Sequence, residues 1–470
     1  MKVLLTHGYF LNEDPTEQRI MKPYPPLGIL YISAFLHKRG IENKIFDTTF
    51  SSKDEMKKYL VDEKPYYIAI YVNLMTKLNV LEIIRFIKSK EELKNSKIIL
   101  GGPEVRYNST DLLKHGADFV VIGEGEETTL ELINKLEMKN ENDFKQINGI
   151  GFKDENGDYF FTPERALINN INELPIPNRN GIDIRKYQKA WKEHHKLDAI
   201  SVSTMRGCPY TCRWCSRAVY GLSYRRRSPA AVVDELLKIK EEYNPDTIWF
   251  VDDVFTISHK WFFAFNEELK KNNLKINYEC ITRADRMDED VIKIMKESGC
   301  FRVWIGAESG SQKIIDAMDR RVKVEQVREM IKLAKKYEIE SGTFIMLGYP
   351  GETESDIEET IDHLKKSNPD HFTITVAYPI KGTEFFQEIE ANQVDAFNWE
   401  AQTDREREFI RTYPRKYYNF AVRRVVNEVK YFKKSNNRLI NSEAIKHKSK
   451  SYAAKVGMWW MRNTKWLNSN

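Results

Sequence analysis

Five times between residues 2 and 136 a short apolar run gives way to a stretch of helical periodicity. That alternation limits the fold more than any other feature of the chain. Residues 2–6, 43–47, 66–71, 97–100 and 119–122 read as strands; residues 27–38, 78–88 and a segment ending at Leu136 read as helices. Neighbouring parallel strands need a crossover, and a helix supplies it, so a doubly wound, Rossmann-like α/β sheet is expected. Such sheets bind ligands beyond the carboxyl ends of their strands. The loops after Thr6, Tyr71, Leu100 and Ile122 therefore face a ligand, and they hold His7, Gly101, Gly102, Gly123, Glu124 and Gly125. The GEGE stretch lacks both Gly-x-Gly-x-x-Gly and a Walker lysine, and its glutamates repel phosphate, which argues against a nucleotide loop. Glycines that turn a strand into a helix are the plainer reading; adjacent glycines also admit a flat ligand to the backbone.

Residues 147–161 read as a hairpin turning at Glu155, Asn156 and Gly157, and the proline-rich NELPIPNRN after it reads as a domain boundary. Alternation then resumes, with strands at 200–205, 247–251, 276–281, 301–305, 342–347 and 372–377, and with Ser228 and Pro229 opening a helix. Six strand–helix steps fall short of the eight that close a TIM barrel, so a partial (β/α)6 barrel is expected. Its strands end in Asp252 and Asp253, Arg283, Glu308, and Gly348 with Gly351. The expected organisation is a sheet domain over 1–140, hairpin and linker over 141–195, the partial barrel over 196–385 and a helical basic region over 386–470.

Three of the five cysteines, Cys208, Cys212 and Cys215, lie in one loop as C-x3-C-x2-C. Three thiolates ligating a metal or cluster leave one position open for chemistry. Structural zinc would ask for paired C-x2-C units and a fourth ligand, whereas Cys280 and Cys300 sit far off in apolar surroundings. Five cysteines in 470 residues do not make a disulfide scaffold. With no apolar run of the ~20 residues a membrane span needs, and too short an apolar start for a signal peptide, a reducing cytoplasm is the expected compartment.

The motif RGCPYTCRWC, in the loop after a first barrel strand, resembles the radical S-adenosylmethionine (SAM) signature. PPLGILYISAFL, IILGGPE and VIGEGEETTLELI resemble the cobalamin-binding domain that precedes many such enzymes, and the likeness covers residues 1–383. The nearest group is that of the anaerobic magnesium-protoporphyrin monomethyl ester cyclase and the cobalamin-dependent radical methylases. The resemblance implies that Cys208, Cys212 and Cys215 ligate three irons of a [4Fe–4S] cluster, with SAM chelating the fourth. An electron from the cluster then splits SAM into methionine and a 5′-deoxyadenosyl radical. Tyr210 and Trp214 would shield cluster and adenine. Asp252 or Asp253 would meet the methionine amino group, Glu308 the ribose, Gly348 and Gly351 the adenine, and Arg283 the SAM carboxylate. The plainer alternatives are a helix cap for one aspartate and an internal salt bridge for Arg283. No histidine sits in an Asp-x-His-x-x-Gly pattern, so cobalamin is expected without a histidine on cobalt; His7 alone lies near the ligand face.

The resemblance thus implies a C-methyltransferase acting at an unactivated carbon through methylcobalamin, or an oxidative cyclase or rearrangement enzyme built on the same residues. A non-catalytic cobalamin or cluster sensor is the alternative of another class. A methylthiotransferase would carry a second cluster on N-terminal cysteines, and none precedes Cys208. The expected partners are a small-molecule or lipid substrate, anionic in one reading, and an external electron donor such as flavodoxin or ferredoxin. From Arg411 onward the chain holds fifteen Lys or Arg against Glu428 and Glu443, a net +13 that leaves −8 of the overall +5 for the rest. This tail, expected to be helical from Ala401, reads either as a basic cap or as a peripheral membrane contact through Trp459, Trp460 and Trp466. Nucleic acid is not expected, since no recognition module is evident.

Overall fold

The computed structural model of the chain describes residues 2–138, 141–390, 397–435 and 442–463. Seven strands form the first sheet: β1 (Val3–His7), β2 (Asn43–Phe46), β3 (Tyr67–Tyr71), β4 (Lys97–Gly101), β5 (Phe119–Val121), β6 (Ile150–Lys153) and β7 (Tyr159–Phe161), in the order β2-β1-β3-β4-β5-β6-β7. The first five are parallel. Alternate residues of a strand face opposite sides. Val3 and Leu5 of β1 accordingly share one core with Ile29 and Leu36 of helix Leu27–Lys38 and Leu132 of helix Gly125–Glu137. Leu4 shares the other with Met56 and Leu60 of helix Lys53–Glu63 and Ile84 of helix Lys77–Ser89. The sheet is doubly wound, as the alternation predicts. The hairpin does more than link: β6 pairs antiparallel with β5 and extends the sheet. Its turn rests on Gly157, whose φ of +90° suits glycine.

Further along come β8 (Ala199–Val202), the two-residue pair β9 (Met205–Arg206) and β10 (Arg225–Arg226), β11 (Thr247–Phe250), β12 (Tyr278–Thr282), β13 (Cys300–Glu308), β14 (Glu340–Leu347) and β15 (His371–Val376). The second sheet keeps chain order, β8-β11-β12-β13-β14-β15, and β12 to β15 pair in parallel. Six strands, two short of a closed barrel, match the count of strand–helix steps. Ser228 and Pro229 open helix Pro229–Glu242 as expected, the Ser228 hydroxyl accepting from Ala231 N.

The contacts divide the chain into two units, Met1–Pro209 with Arg217–Trp249 and Asn398–Thr403, and Tyr210–Ser216 with Phe250–Phe397 and Asp404–Asn470. The tail departs from expectation. Between 401 and 414 the one helical turn is the 3-10 turn Asp404–Glu406, and the long helices are Arg415–Ser435 and Ser442–Asn463. Pro414 explains the late start, because it lacks an N–H and pushes the preceding residue into extended conformation. Among the described residues no helix is long and apolar enough to cross a membrane; Trp466 lies outside the described residues.

Candidate cofactor sites

In the first unit the carboxyl ends of β1, β3, β4 and β5 surround a cavity of about 250 Å³. Leu5, Ile70, Ile99 and Val121 give it apolar walls, and Gly101, Gly102, Gly123, Glu124 and Gly125 all line it. A Cβ on Gly28 or Gly101 would meet nothing within 4 Å, so both leave open a volume that a ligand can fill. Gly102 is fixed for another reason: its φ is +110°, and a Cβ would stand 2.5 Å from the Val72 carbonyl oxygen. Such a glycine-floored, largely apolar space fits a macrocyclic cofactor better than a bare phosphate. His7 is absent from the lining. Its Nε2 faces Asp47 Oδ1 at 3.0 Å, and its Nδ1 accepts from Tyr9 N at 3.2 Å, so the buried ring is tied into the protein.

Sequence reasoning missed Gly28, Arg206 and Tyr220 in this lining. Arg206 donates to Glu124 Oε1 at 2.7 Å and pairs with Glu126, and Arg225 donates to Glu124 Oε2 at 2.6 Å. The Arg206 guanidinium lies 5.4 Å from the Tyr31 ring centre and 5.5 Å from that of Tyr220. Burial alone would lower its pKa, but Glu126 and Glu124 outweigh burial and the net shift is upward. Tyr220 is pushed up to about 12, mainly by burial. The glutamates that argue against phosphate are therefore neutralised from within.

Arg206 and Arg225 are also register partners in the β9–β10 pair, which brackets residues 207–224. Glu124 thus clamps the two stems of the cysteine-bearing loop. Gly207, at a φ of +79°, makes the first turn of that loop, where a Cβ would stand 2.3 Å from the Ser223 hydroxyl. Glu124→Ala takes the carboxylate from half-buried Arg225 and leaves buried Arg206 only Glu126, and a loss of about 3 kcal/mol in urea unfolding is expected.

The second unit builds a site around Cys212. Arg283 Nη1 and Arg320 Nη1 each donate to Cys212 Sγ at 3.7 Å, so two guanidinium groups converge on one sulfur. Arg283 is buried and fully engaged: its Nε donates to Asp285 Oδ1 at 2.8 Å and its Nη2 to the Arg320 carbonyl at 2.7 Å. The Arg283 guanidinium stands over the Tyr210 ring, 3.7 Å from the ring centre, and the Tyr210 hydroxyl is held by Arg286. Trp214 packs beside Ile314, Met318 and Tyr349.

Arg320 was not legible in the sequence. Its Nη2 donates to the Gly306 carbonyl at 3.2 Å and stands 3.7 Å from Glu308 Oε1. A Cβ on Gly306 would lie 2.3 Å from that nitrogen, so glycine is required for the approach. Among the described residues Arg320 Nε is buried with no hydrogen-bond partner. Glu308 ends β13 at a φ of +65°, a strained conformation for a side-chain-bearing residue. Burial raises its pKa, with Arg320 and then Arg283 opposing. Asp252 is buried at the end of β11 and Asp253 beside it is exposed. Neither caps the next helix, a role Ser258 takes by accepting from Trp261 N at 3.3 Å.

Gly348 and Gly351, at φ of +82° and +79°, turn the chain after β14. Gly348 N donates to Glu352 Oε2 at 2.5 Å, while among the described residues buried Glu352 Oε1 has no partner. Burial, seconded by Asp356, pushes the Glu352 carboxyl up to about 8 against the Gly348 bond. The folded state then holds a proton that the unfolded chain releases near its ordinary value of 4.5. Stability is therefore expected to fall as pH rises through that window. Glu352→Gln should flatten the fall, as read from urea midpoints at pH 5 and pH 8.

Within the cysteine loop Cys215 N donates to the Cys212 carbonyl at 3.1 Å. Among the described residues no group of three His, Cys, Asp or Glu side chains is gathered in a metal-holding arrangement. The donor set nonetheless has the chemistry an iron–sulfur cluster needs: soft sulfur ligands on one loop, one of them held between cations.

The radical SAM superfamily matches residues 202–364 and the B12 binding domain matches residues 19–133. An uncharacterized methyltransferase of Pyrococcus horikoshii is 31% identical over 419 residues, covering 86% of each chain. The chain belongs to the cobalamin-binding radical SAM family. The anaerobic magnesium-protoporphyrin IX monomethyl ester cyclase of Rubrivivax gelatinosus is 26% identical over 85% of this chain and 72% of its own. Among solved structures, the cobalamin-dependent SAM radical enzyme OxsB with aqua-cobalamin bound superposes with a TM-score of 0.74 at 18% identity, covering 98% of this chain and 72% of its own. The radical SAM methyltransferase TsrM from Kitasatospora setae gives 0.70 at 15% identity, over 98% and 89%. At such identities these two structures speak for the fold. As a member of this family the protein is a radical SAM enzyme whose cofactors are SAM, a [4Fe–4S] cluster and cobalamin.

Proposed function

We propose that the protein is a cobalamin-dependent radical SAM C-methyltransferase acting on a small molecule, with reducing electrons from an external donor. The observation that carries this reading is the glycine-floored apolar cavity of the first unit in the same chain as the C-x3-C-x2-C loop. The 31% relative, named a methyltransferase, favours methyl transfer. In this reading residues 1–140 hold cobalamin and residues 196–385 hold the cluster with SAM. Bound together, these groups supply reductive cleavage of SAM and a methyl carrier.

The chain's own residues do the rest. Cys208, Cys212 and Cys215 would hold three irons, and Arg283 and Arg320 set two guanidinium groups beside Cys212. Arg283, with its donors committed, positions the cysteine loop and does not grip a ligand carboxylate. Arg320 Nε and the Glu308 carboxyl remain for polar groups of SAM, with Asp252 and Asp253 at a neighbouring strand end. Tyr210 and Trp214 exclude water from the loop, and Gly348 and Gly351 open the turn to the adenine. Gly28, Gly101, Gly102, Gly123 and Gly125 floor the cobalamin cavity, and neither His7 nor the paired Glu124 is asked to ligate it.

A second reading, an oxidative cyclase, draws on the names of the 26% relatives. Anaerobic incubation of the reconstituted full chain with SAM and cobalamin separates the two. Methyl transfer predicts S-adenosylhomocysteine; its absence beside continuing 5′-deoxyadenosine release would favour the cyclase.

A further inference from the structure

The outer face of helix Ser442–Asn463 carries a feature that the cofactor sites do not use. Its inner face turns Ala444, Ser451, Ala454, Met458 and Met461 into the protein. Gly457 lets this helix lie close against helix Arg415–Ser435, because a Cβ there would stand 2.5 Å from the Phe420 ring. On the opposite face Ile445, Tyr452, Val456, Trp459 and Trp460 are 56%, 69%, 50%, 57% and 51% exposed. The first four are spaced by seven, four and three residues, the period that aligns side chains along one helical face. A solvent face is ordinarily polar. Here it is an apolar and aromatic stripe.

The same helical period sets exposed Lys448, Lys455 and Arg462 along one edge of the stripe and exposed Lys446 and Lys450 along the other. Lys448 and Arg462 also hold Glu428 and Glu354. Among the described residues Lys446, Lys450 and Lys455 form no ion pair. The only acidic residue of this helix is Glu443, and Lys434 neutralises it.

We infer that this helix seats the protein on a bilayer surface rich in anionic lipid. Trp459, Trp460 and Tyr452 enter the headgroup level, Ile445 and Val456 lie beneath them, and the flanking lysines meet lipid phosphates. The charge distribution selects this occupant. A second copy would bring an equal excess of positive charge against the lysine edges. Nucleic acid would find its cations at the rim and, at Ile445 and Val456, side chains that neither stack nor hydrogen-bond. The contact lies on the surface, since the helix is too polar to cross a membrane. The inference rests on none of the cofactor assignments.

Flotation of the full chain with vesicles tests it without SAM turnover. Partition onto phosphatidylcholine vesicles holding about 30% phosphatidylglycerol should exceed partition onto pure phosphatidylcholine at least tenfold, and should fall with added salt. Trp459→Ala with Trp460→Ala should lower it about tenfold or more, as should Lys446→Gln with Lys450→Gln and Lys455→Gln. Both variants change exposed positions and should keep the wild-type unfolding midpoint. Vesicle binding that is absent, or equal in wild type and both variants, would overturn the inference. So would a tryptophan variant that loses self-association or RNA binding in place of vesicle binding.

Discussion

Cys212→Ala is expected to abolish SAM cleavage, lowering 5′-deoxyadenosine release at least about a thousandfold, or ~4 kcal/mol in barrier height. The effect should be that large because the cysteine supplies one of only three thiolates, and a cluster held by two cannot keep its open iron presented to SAM. The loss should appear first as iron content, which falls from about four per chain in the reconstituted protein. Cys208→Ala and Cys215→Ala should behave alike. Cys300→Ala is the control: Cys300 is a buried core residue at the start of β13 and should change stability while leaving iron in place. Iron lost from Cys300→Ala and retained in Cys212→Ala would place the cluster elsewhere.

Gly101→Leu should weaken cobalamin binding at least about a hundredfold, ~2.7 kcal/mol, while SAM cleavage by the cluster persists. The residue lines the cavity, lies outside the left-handed region and has open space where its side chain would grow. The new side chain therefore occupies ligand volume at little cost to the fold, and the unfolding midpoint should hold. Gly102→Ala gives the contrasting result. Its Cβ collides with the Val72 carbonyl in a left-handed backbone, so stability should fall before any effect on cobalamin can be read. Spectroscopic titration with hydroxocobalamin separates the two variants.

The doubly wound sheet was legible because β1, β3 and β4 are buried on both faces and read as unbroken apolar runs between helical patterns. Helix Lys53–Glu63 carried its own announcement, the capping box of Ser52 and Glu55, but too few apolar residues follow it to stand out. The cysteine loop was legible from spacing alone. What surrounds Cys212 was not. Arg320, flanked by Asp319 and Arg321 at φ of +50° and +54°, packs its guanidinium against Gly306, and no local pattern signals either feature. The pairing of Glu124 with Arg206 and Arg225 joins residues at least 82 positions apart, beyond any periodicity argument. His7 misled by position: it ends a strand at the ligand face, yet Asp47 and Tyr9 N hold its ring inside the fold.

One chain is expected to cleave SAM on its cysteine loop and to carry cobalamin in its sheet domain. Release of 5′-deoxyadenosine by the anaerobically reconstituted, reduced full chain, measured beside Cys212→Ala, tests this most directly. Steady release by the wild type, with about four iron per chain and one cobalamin bound, is expected, and none by the variant. A fully loaded wild-type protein that leaves SAM intact would contradict it.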